Sequence, residues 1–317
     1  MSTEPIRIGI SSCLLGENVR YDGGHQLDRL IRDVLGPWLE FVPVCPEVEL
    51  GLPTPRESLR LVQQPNGPHL VFSRSGRDIT AKMTAWAEKR VRELEKDRLC
   101  GFIFKSRSPS SGMERVKLYD RNGVPTKTGV GLFARVFMAH FPLLPVEEDG
   151  RLHDARLREN FVECLFVFQR WRRLLDGPRG RGELVAFHTR HKLLLLAHST
   201  EIYRQAGKLV AAAKELPETE LYARYQALLM KGMRLLPTVK KHVNVLQHLL
   251  GYFKRDLSAG EKAEVLELID HYRQGHLPLI VPVTLVNHFV RKYGQPYLAR
   301  QYYLHPHPLE LQLRNHC

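Results

Sequence analysis

Three short apolar runs alternate with helical stretches over the first 140 residues, and this alternation constrains the fold most. The runs are residues 6–11 (IRIGIS), 41–44 (FVPV) and 99–105 (LCGFIFK). Between and after them, 24–35, 78–96 and 129–140 predict helices. In the second of these, Ile79, Met83, Trp86, Ala87, Val91 and Leu94 recur at helical spacing, and Asp78 stands where a cap is needed. Strands separated by helices pair in parallel, because each crossover has room to return to the same end of the sheet. Residues 1–150 therefore read as an α/β domain with an open, mainly parallel, Rossmann-like sheet. After Leu152 the pattern becomes helical almost throughout, over 154–175, 183–197, 199–213, 219–235, 240–253, 258–274 and 282–290. Ser258 and Glu261 have capping-box spacing. Residues 151–317 read as an all-α domain. No apolar run approaches the ~18 residues of a membrane span, and no basic flank precedes an apolar leader. A cytoplasmic, membrane-free protein, monomeric by default, is expected.

In open parallel sheets, ligands bind beyond the carboxyl ends of the strands. The three runs lead into SSCLLGENVRYDGGHQ, CPEVELGLPTPRES and SRSPSSGMERVKLYD, all rich in Gly, Pro and Ser. Cys13 and Cys45 stand at two of these strand ends, and Ser111 stands in the third loop. The chain has 5 cysteines, an odd number without a secretory leader, so a disulfide framework is not expected. Cys100, at the start of the third run, reads as a core residue at the wrong end of the sheet. Cys164 falls on an apolar helical stripe, and Cys317 ends the chain. Arg20, Asp22 and His25, around the Gly23-Gly24 pair, are candidates for contacting a substrate, or a plain turn and cap. Lys105 and Arg107 are candidates for substrate phosphate or charge balance, or solvated cations. There is no Walker A motif and no GxGxxG, so neither a nucleoside triphosphate nor a dinucleotide is indicated. His188, His191, His198, His242 and His248 lack HExxH spacing and read as core or surface histidines.

The formal net charge is +13. Residues 1–150 hold 21 Lys and Arg against 19 Asp and Glu, a net of +2, and residues 151–317 hold the other +11. Such asymmetry points to a polyanion as the partner of the second half. Candidate phosphate contacts there are Arg170, Arg172, Arg173, Arg179, Arg181, Arg190, Lys192, Lys240, Lys241, Lys254 and Arg255. Arg179 and Arg181 lie inside a glycine-rich breaker. No RRM or KH signature is present, so the domain is expected to read charge and shape.

SSCLLGENVRYDGGH, VPVCPEVELGLPTPR and KSRSPSSG resemble the three signature stretches of the thiouracil desulfidase (TudS) family, over roughly residues 6–140. The second half resembles the helical domain of unknown function that often follows this module. The two-domain arrangement resembles the RudS-type desulfidases, which act on 4-thiouridine in transfer RNA. The resemblance implies a [4Fe-4S] cluster held by three loop cysteines, with one iron left open. It implies Cys13, Cys45 and position 111 as ligands, Glu47 as the catalytic carboxylate, and Ser108 as a substrate contact that assists proton transfer. The implied reaction is hydrolytic: water replaces sulfur on the ring carbon, and sulfide leaves.

Ser111 departs from the family pattern, whose third stretch reads Ser-Pro-Ser-Cys-Gly. A protonated hydroxyl is a poor ligand for a soft cluster. The cluster is therefore expected to be absent or unstable in this chain, either through a replacement that silences the site or as a natural variant. Alternative readings are an RNA-binding or regulatory protein that lost its cluster, a desulfidase of free thiouracil or thionucleoside, and persulfide transfer from Cys13 or Cys45.

Overall fold

The computed structural model describes residues 5–316, so Cys317 lies outside the described residues. The chain divides into two compact units, Met1–Asp154 and Ala155–Cys317. In the first, β1 (Ile6–Ser11), β2 (Leu39–Val44) and the short α1 (Pro46–Glu49) come first. β3 (Leu59–Gln64), β4 (Gly67–Phe72), α2 (Thr80–Leu94) and β5 (Phe102–Phe104) follow. β6 (Val116–Tyr119), β7 (Pro125–Gly129), α3 (Leu132–His140) and β8 (Val146–Glu148) complete it.

The main sheet has the order β2-β1-β5-β8, and every pairing in it is parallel. This is the α/β architecture expected. Ile6, Ile8 and Ile10 of β1 are buried, and Phe102 and Phe104 pack against Phe133 and Phe137 of α3. Burying each such ring stabilises the fold by roughly 1.5–3 kcal/mol. Gly9 makes this packing possible: a Cβ there would lie 2.3 Å from the Phe102 ring.

Three sequence expectations are corrected. The helix expected over 24–35 is a π-helical segment only at Leu30–Leu35. Ahead of it, Gly23 adopts a φ of 81° and the chain turns, with Gly24 N–H donating to Asp22 and Leu27 N–H to His25 Nδ1. The third strand is three residues long, Phe102–Phe104. Cys100 precedes it, buried, its N–H donating to the Arg7 carbonyl at the opening of β1. Finally, a second sheet, β4-β3-β6-β7, was not anticipated. It consists of two antiparallel hairpins joined by a parallel β3–β6 pairing.

The second unit holds α4 (Ala155–Asp176), α5 (Arg181–His198), α6 (Thr200–Ala211), α7 (Glu218–Met233) and α8 (Val239–Gly251). α9 (Ala259–Arg273), α10 (Ile280–Lys292) and α11 (Pro296–Ala299) complete it. The capping box at Ser258 and Glu261 is present. Pro282 does not break α10, because it sits in the first turn, where a missing N–H costs no helical bond. Among the described residues, no helix is long and apolar enough to cross a membrane.

One buried ion network ties the C-terminal segment to α4. Arg314 reaches Glu159 at 3.2 Å and Glu163 at 2.8 Å, while His198 Nε2 lies 3.1 Å from Glu163. Removing one partner of such a network strands its carboxylates in the core. Arg314→Met is expected to lower stability by about 3–5 kcal/mol in urea unfolding. An unchanged unfolding midpoint would show that the network is dispensable.

Candidate functional site

The carboxyl ends of β1, β2 and β5 open onto one cavity of about 380 Å³. Each strand delivers its loop in a different way. After β1 the chain enters a 3-10 turn, Ser12–Leu15, that ends at Gly16 in the left-handed region (φ 98°). This turn holds Cys13 against the cavity, and its carbonyl accepts from Gln26 N–H at 2.9 Å. After β2, Cys45 occupies the extended position before α1, and its N–H donates to Glu49 Oε1 at 3.0 Å. Proline at the first position of α1 starts that turn at once, which brings Glu47 into the cavity wall.

The third loop is held by the N-terminus of α3. Gly131, Leu132 and Ala134 N–H groups donate to the Gly112, Pro109 and Ser110 carbonyls. These donors have no partner within their own helix, so the loop satisfies them. The approach requires glycine: a Cβ on Gly131 would lie 2.6 Å from the Ser110 carbonyl. The fixed loop turns Ser108 and Ser111 toward Cys13 and Cys45, and all four line the cavity.

Glu47 is wired to this loop through Ser110, which the sequence reading passed over. Ser110 Oγ donates to Glu47 Oε1 at 2.6 Å and lies 3.0 Å from Ser108 Oγ and 3.5 Å from Ser111 Oγ. The Ser111 N–H donates to Ser108 Oγ at 3.1 Å. The other oxygen of Glu47 is 3.6 Å from Cys45 Sγ. Burial pushes the Cys13 thiol up to about 11. Burial and the neighbouring Glu47 push Cys45 up to about 12. Protonated thiols are poor nucleophiles, and a cation that binds them must displace their protons.

Cations ring the mouth. Arg20, Lys105 and Arg107 line the cavity as expected, and Arg56 joins them. Arg56 donates to the carbonyls of Val19 and Pro53. Lys105 is neutralised by Asp149 at 2.6 Å, and Asp149 also accepts from the Ser106 N–H. Glu147 and Glu148 form the buried end of β8, and the buried Asp149 just beyond it braces the third loop. Asp22 and His25 do not line the cavity; they hydrogen-bond within their own turn, matching the plain-turn alternative.

Three donors at three loops suit an iron–sulfur cluster in position. Two of them, Cys13 and Cys45, are the thiols such clusters take. Beside them, Ser12 Oγ is buried without a hydrogen-bond partner. The third donor is the Ser111 hydroxyl, so the set falls one soft ligand short. Cys100 cannot supply it, because it lies at the opposite end of β1.

Several basic residues of the helical domain make internal contacts, Arg179 and Arg181 while remaining exposed. Arg170 donates to the Pro306 carbonyl, Arg181 to those of Ala213 and Leu216, and Arg179 to that of Leu175. Lys241 donates to the His198 carbonyl at the end of α5. Arg172 lies over the Phe168 ring and Lys192 over Tyr297. Arg173, Arg190, Lys240, Lys254 and Arg255 are exposed. The histidines are packing groups except the exposed His248: His188 and His242 meet tyrosine hydroxyls, and His191 and His198 meet carbonyls.

The family described as 2-thiouracil desulfurase matches residues 8–149. A family described as a protein of unknown function, DUF1722, matches residues 192–308. The chain is 31% identical over 161 residues to the uncharacterized protein YbgA of Escherichia coli (strain K12), covering 50% of this chain and 95% of that protein. It is 32% identical over 108 residues to the uncharacterized protein YbbK of Bacillus subtilis (strain 168), covering 32% of this chain and 71% of that one. A solved structure, the [4Fe-4S]-dependent thiouracil desulfidase TudS, is 31% identical, with 47% of this chain and 94% of that chain covered and a TM-score of 0.39. With its three loops placed and these matches in hand, the chain belongs to the 2-thiouracil desulfurase family through its N-terminal domain, followed by a DUF1722 region.

Proposed function

We propose that this protein is a [4Fe-4S]-dependent desulfidase that converts 4-thiouridine in tRNA to uridine, with Ser111 weakening its hold on the cluster. The observation that supports this most is the meeting of Cys13, Cys45, Ser111 and the Glu47–Ser110–Ser108 chain in one cavity. A cluster held by Cys13 and Cys45 would supply soft Lewis acidity toward sulfur. The chain's own groups handle the protons. Glu47 is placed to take a proton from the attacking water, and the Ser110 and Ser108 hydroxyls form a path to return it. A C–O bond forms at the ring carbon, the C–S bond breaks, and sulfur leaves as sulfide with no net electron transfer.

The RNA part of the reading draws support from a groove that adjoins the cavity and shares Ser58, Leu59, Ser106, Arg107 and Pro109 with it. Arg60, Arg107, Arg115, Lys117, Lys127 and Arg151 line it with Glu114 and Glu148, and Arg115 and Arg151 are paired with glutamates. A domain with a net charge of +2 thus concentrates its cations beside the pocket. A phosphodiester backbone lying there would be drawn by counterion release. The exposed Arg173, Arg190, Lys240, Lys254 and Arg255 would add attraction from the helical domain. Ser111 also favours a second reading, an RNA-binding protein without a cluster. The two differ in whether iron is needed.

Anaerobically reconstituted Ser111→Cys protein is expected to convert 4-thiouridine to uridine in tRNA, followed by mass spectrometry of the nucleosides. Undiminished 4-thiouridine with an iron-loaded protein would refute the reading. Adding Glu47→Gln should lower turnover by about 100-fold or more without changing iron content. Full activity in that variant would remove Glu47 from the mechanism. Lys117→Ala combined with Lys127→Ala should reduce the slope of log affinity for tRNA against log salt by about two. An unaltered slope would place the RNA elsewhere.

A further inference from the structure

We infer that the helical domain contains a binding pocket for a phosphate monoester, with Arg170 and His191 inside it and Arg173 and Arg190 exposed around it. The pocket is a cavity of about 330 Å³ between α4, α5 and Tyr302, a size that accommodates a nucleoside monophosphate. It is separate from the thiol site, and the inference does not depend on the desulfidase reading.

Two polar groups in its wall lack partners. Arg170 donates one nitrogen to the Pro306 carbonyl and stacks 3.9 Å over the Tyr302 ring, yet its Nη1 is buried with no hydrogen-bond acceptor. No ion pair joins Arg170 to a carboxylate among the described residues, and Glu163, whose charge reaches it, is already paired with Arg314 and His198. A guanidinium stays charged, and a charge withdrawn from water requires a counter-charge. Arg173 and Arg190 line the same cavity, with Glu183 the single carboxylate there. The pocket is thus organised for an anion.

His191 narrows the choice. It is 2% exposed, sandwiched between Phe187 at 3.9 Å and Tyr302 at 4.4 Å. Its Nδ1 lies 2.8 Å from the Phe187 carbonyl, which can only accept, so Nδ1 carries the proton. Nε2 is then a bare lone pair, buried and without a partner. The fitting ligand presents anionic oxygens to the arginines and an O–H to His191. A singly protonated phosphate monoester does both, and its second ionisation near pH 6 keeps that form available close to neutrality. Sulfate and a phosphodiester lack the O–H at that pH. The phosphate could belong to a free nucleotide or to the 5′ end of an RNA.

Titration calorimetry on the full chain, which needs no cluster, tests this with uridine 5′-monophosphate, uridine and sulfate at equal ionic strength. The monophosphate is expected to bind, at least about tenfold more tightly than sulfate, with uridine silent. Arg190→Ala should weaken it by about tenfold, as loss of a charge-assisted contact does, while Arg107→Ala at the thiol site should not. Arg170→Gln should abolish binding, and if that variant does not fold, Arg190→Ala decides. Short RNAs with 5′-phosphate or 5′-hydroxyl ends assign the source. Tighter binding of the phosphorylated end indicates RNA, and equal binding alongside a bound monophosphate indicates a free nucleotide. Binding of the monophosphate no tighter than uridine or sulfate, or unaffected by Arg190→Ala, would overturn the inference.

Discussion

Parallel pairing of β1 with β2 on one side and β5 on the other is the constraint on which the site depends. Because the strands run together, three loops far apart in the chain emerge at one edge of the sheet. Cys13, Cys45 and Ser111 can meet only there. The packing that fixes this register is apolar and lies beneath the site: Gly9 admits the Phe102 ring, and Phe102 locks β5 onto α3. α3 in turn holds the third loop through the donors of its first turn. The three-loop site and the hydrophobic core are consecutive links of one chain of contacts.

Electrostatics acts at two scales. Near the pocket, Asp149 neutralises Lys105 and secures Ser106, so a buried acid stiffens a loop that must present a hydroxyl accurately. Across the surface, the cations are unevenly spread. The nearly neutral N-terminal domain lines a groove next to its pocket with six cations, of which Arg115 and Arg151 are paired with glutamates, while several arginines and lysines of the strongly basic helical domain bond to carbonyls and keep their charge. What attracts a polyanion is the arrangement of charge, and composition reports only its sum.

The strand-end cysteines and the helices from α4 onward were legible in the sequence because period and loop chemistry are local signals, whereas Glu47 was singled out through the family resemblance. The second sheet was not, since its strands are short and mostly half-exposed, and their apolar alternation is weak. One signal was available: Pro65-Asn66, followed by Gly67, separates residues 59–64 from 67–72 and marks a turn. Ser110 was hidden for a different reason. Its role depends on a hydrogen bond to Glu47, 63 positions away in the chain. Arg170 read as a surface cation, and the structure half-buries it over Tyr302, because helical spacing alone does not say how deep a residue sits.

The central claim is that the three-loop site is a cluster site one thiolate short. The most direct measurement is iron and acid-labile sulfide per chain after identical anaerobic reconstitution of the native protein and Ser111→Cys. A full [4Fe-4S] complement is expected in Ser111→Cys, and a clearly lower, readily lost content in the chain carrying Ser111. Equal content in both would contradict the assigned role of position 111, and none in either would contradict the site itself.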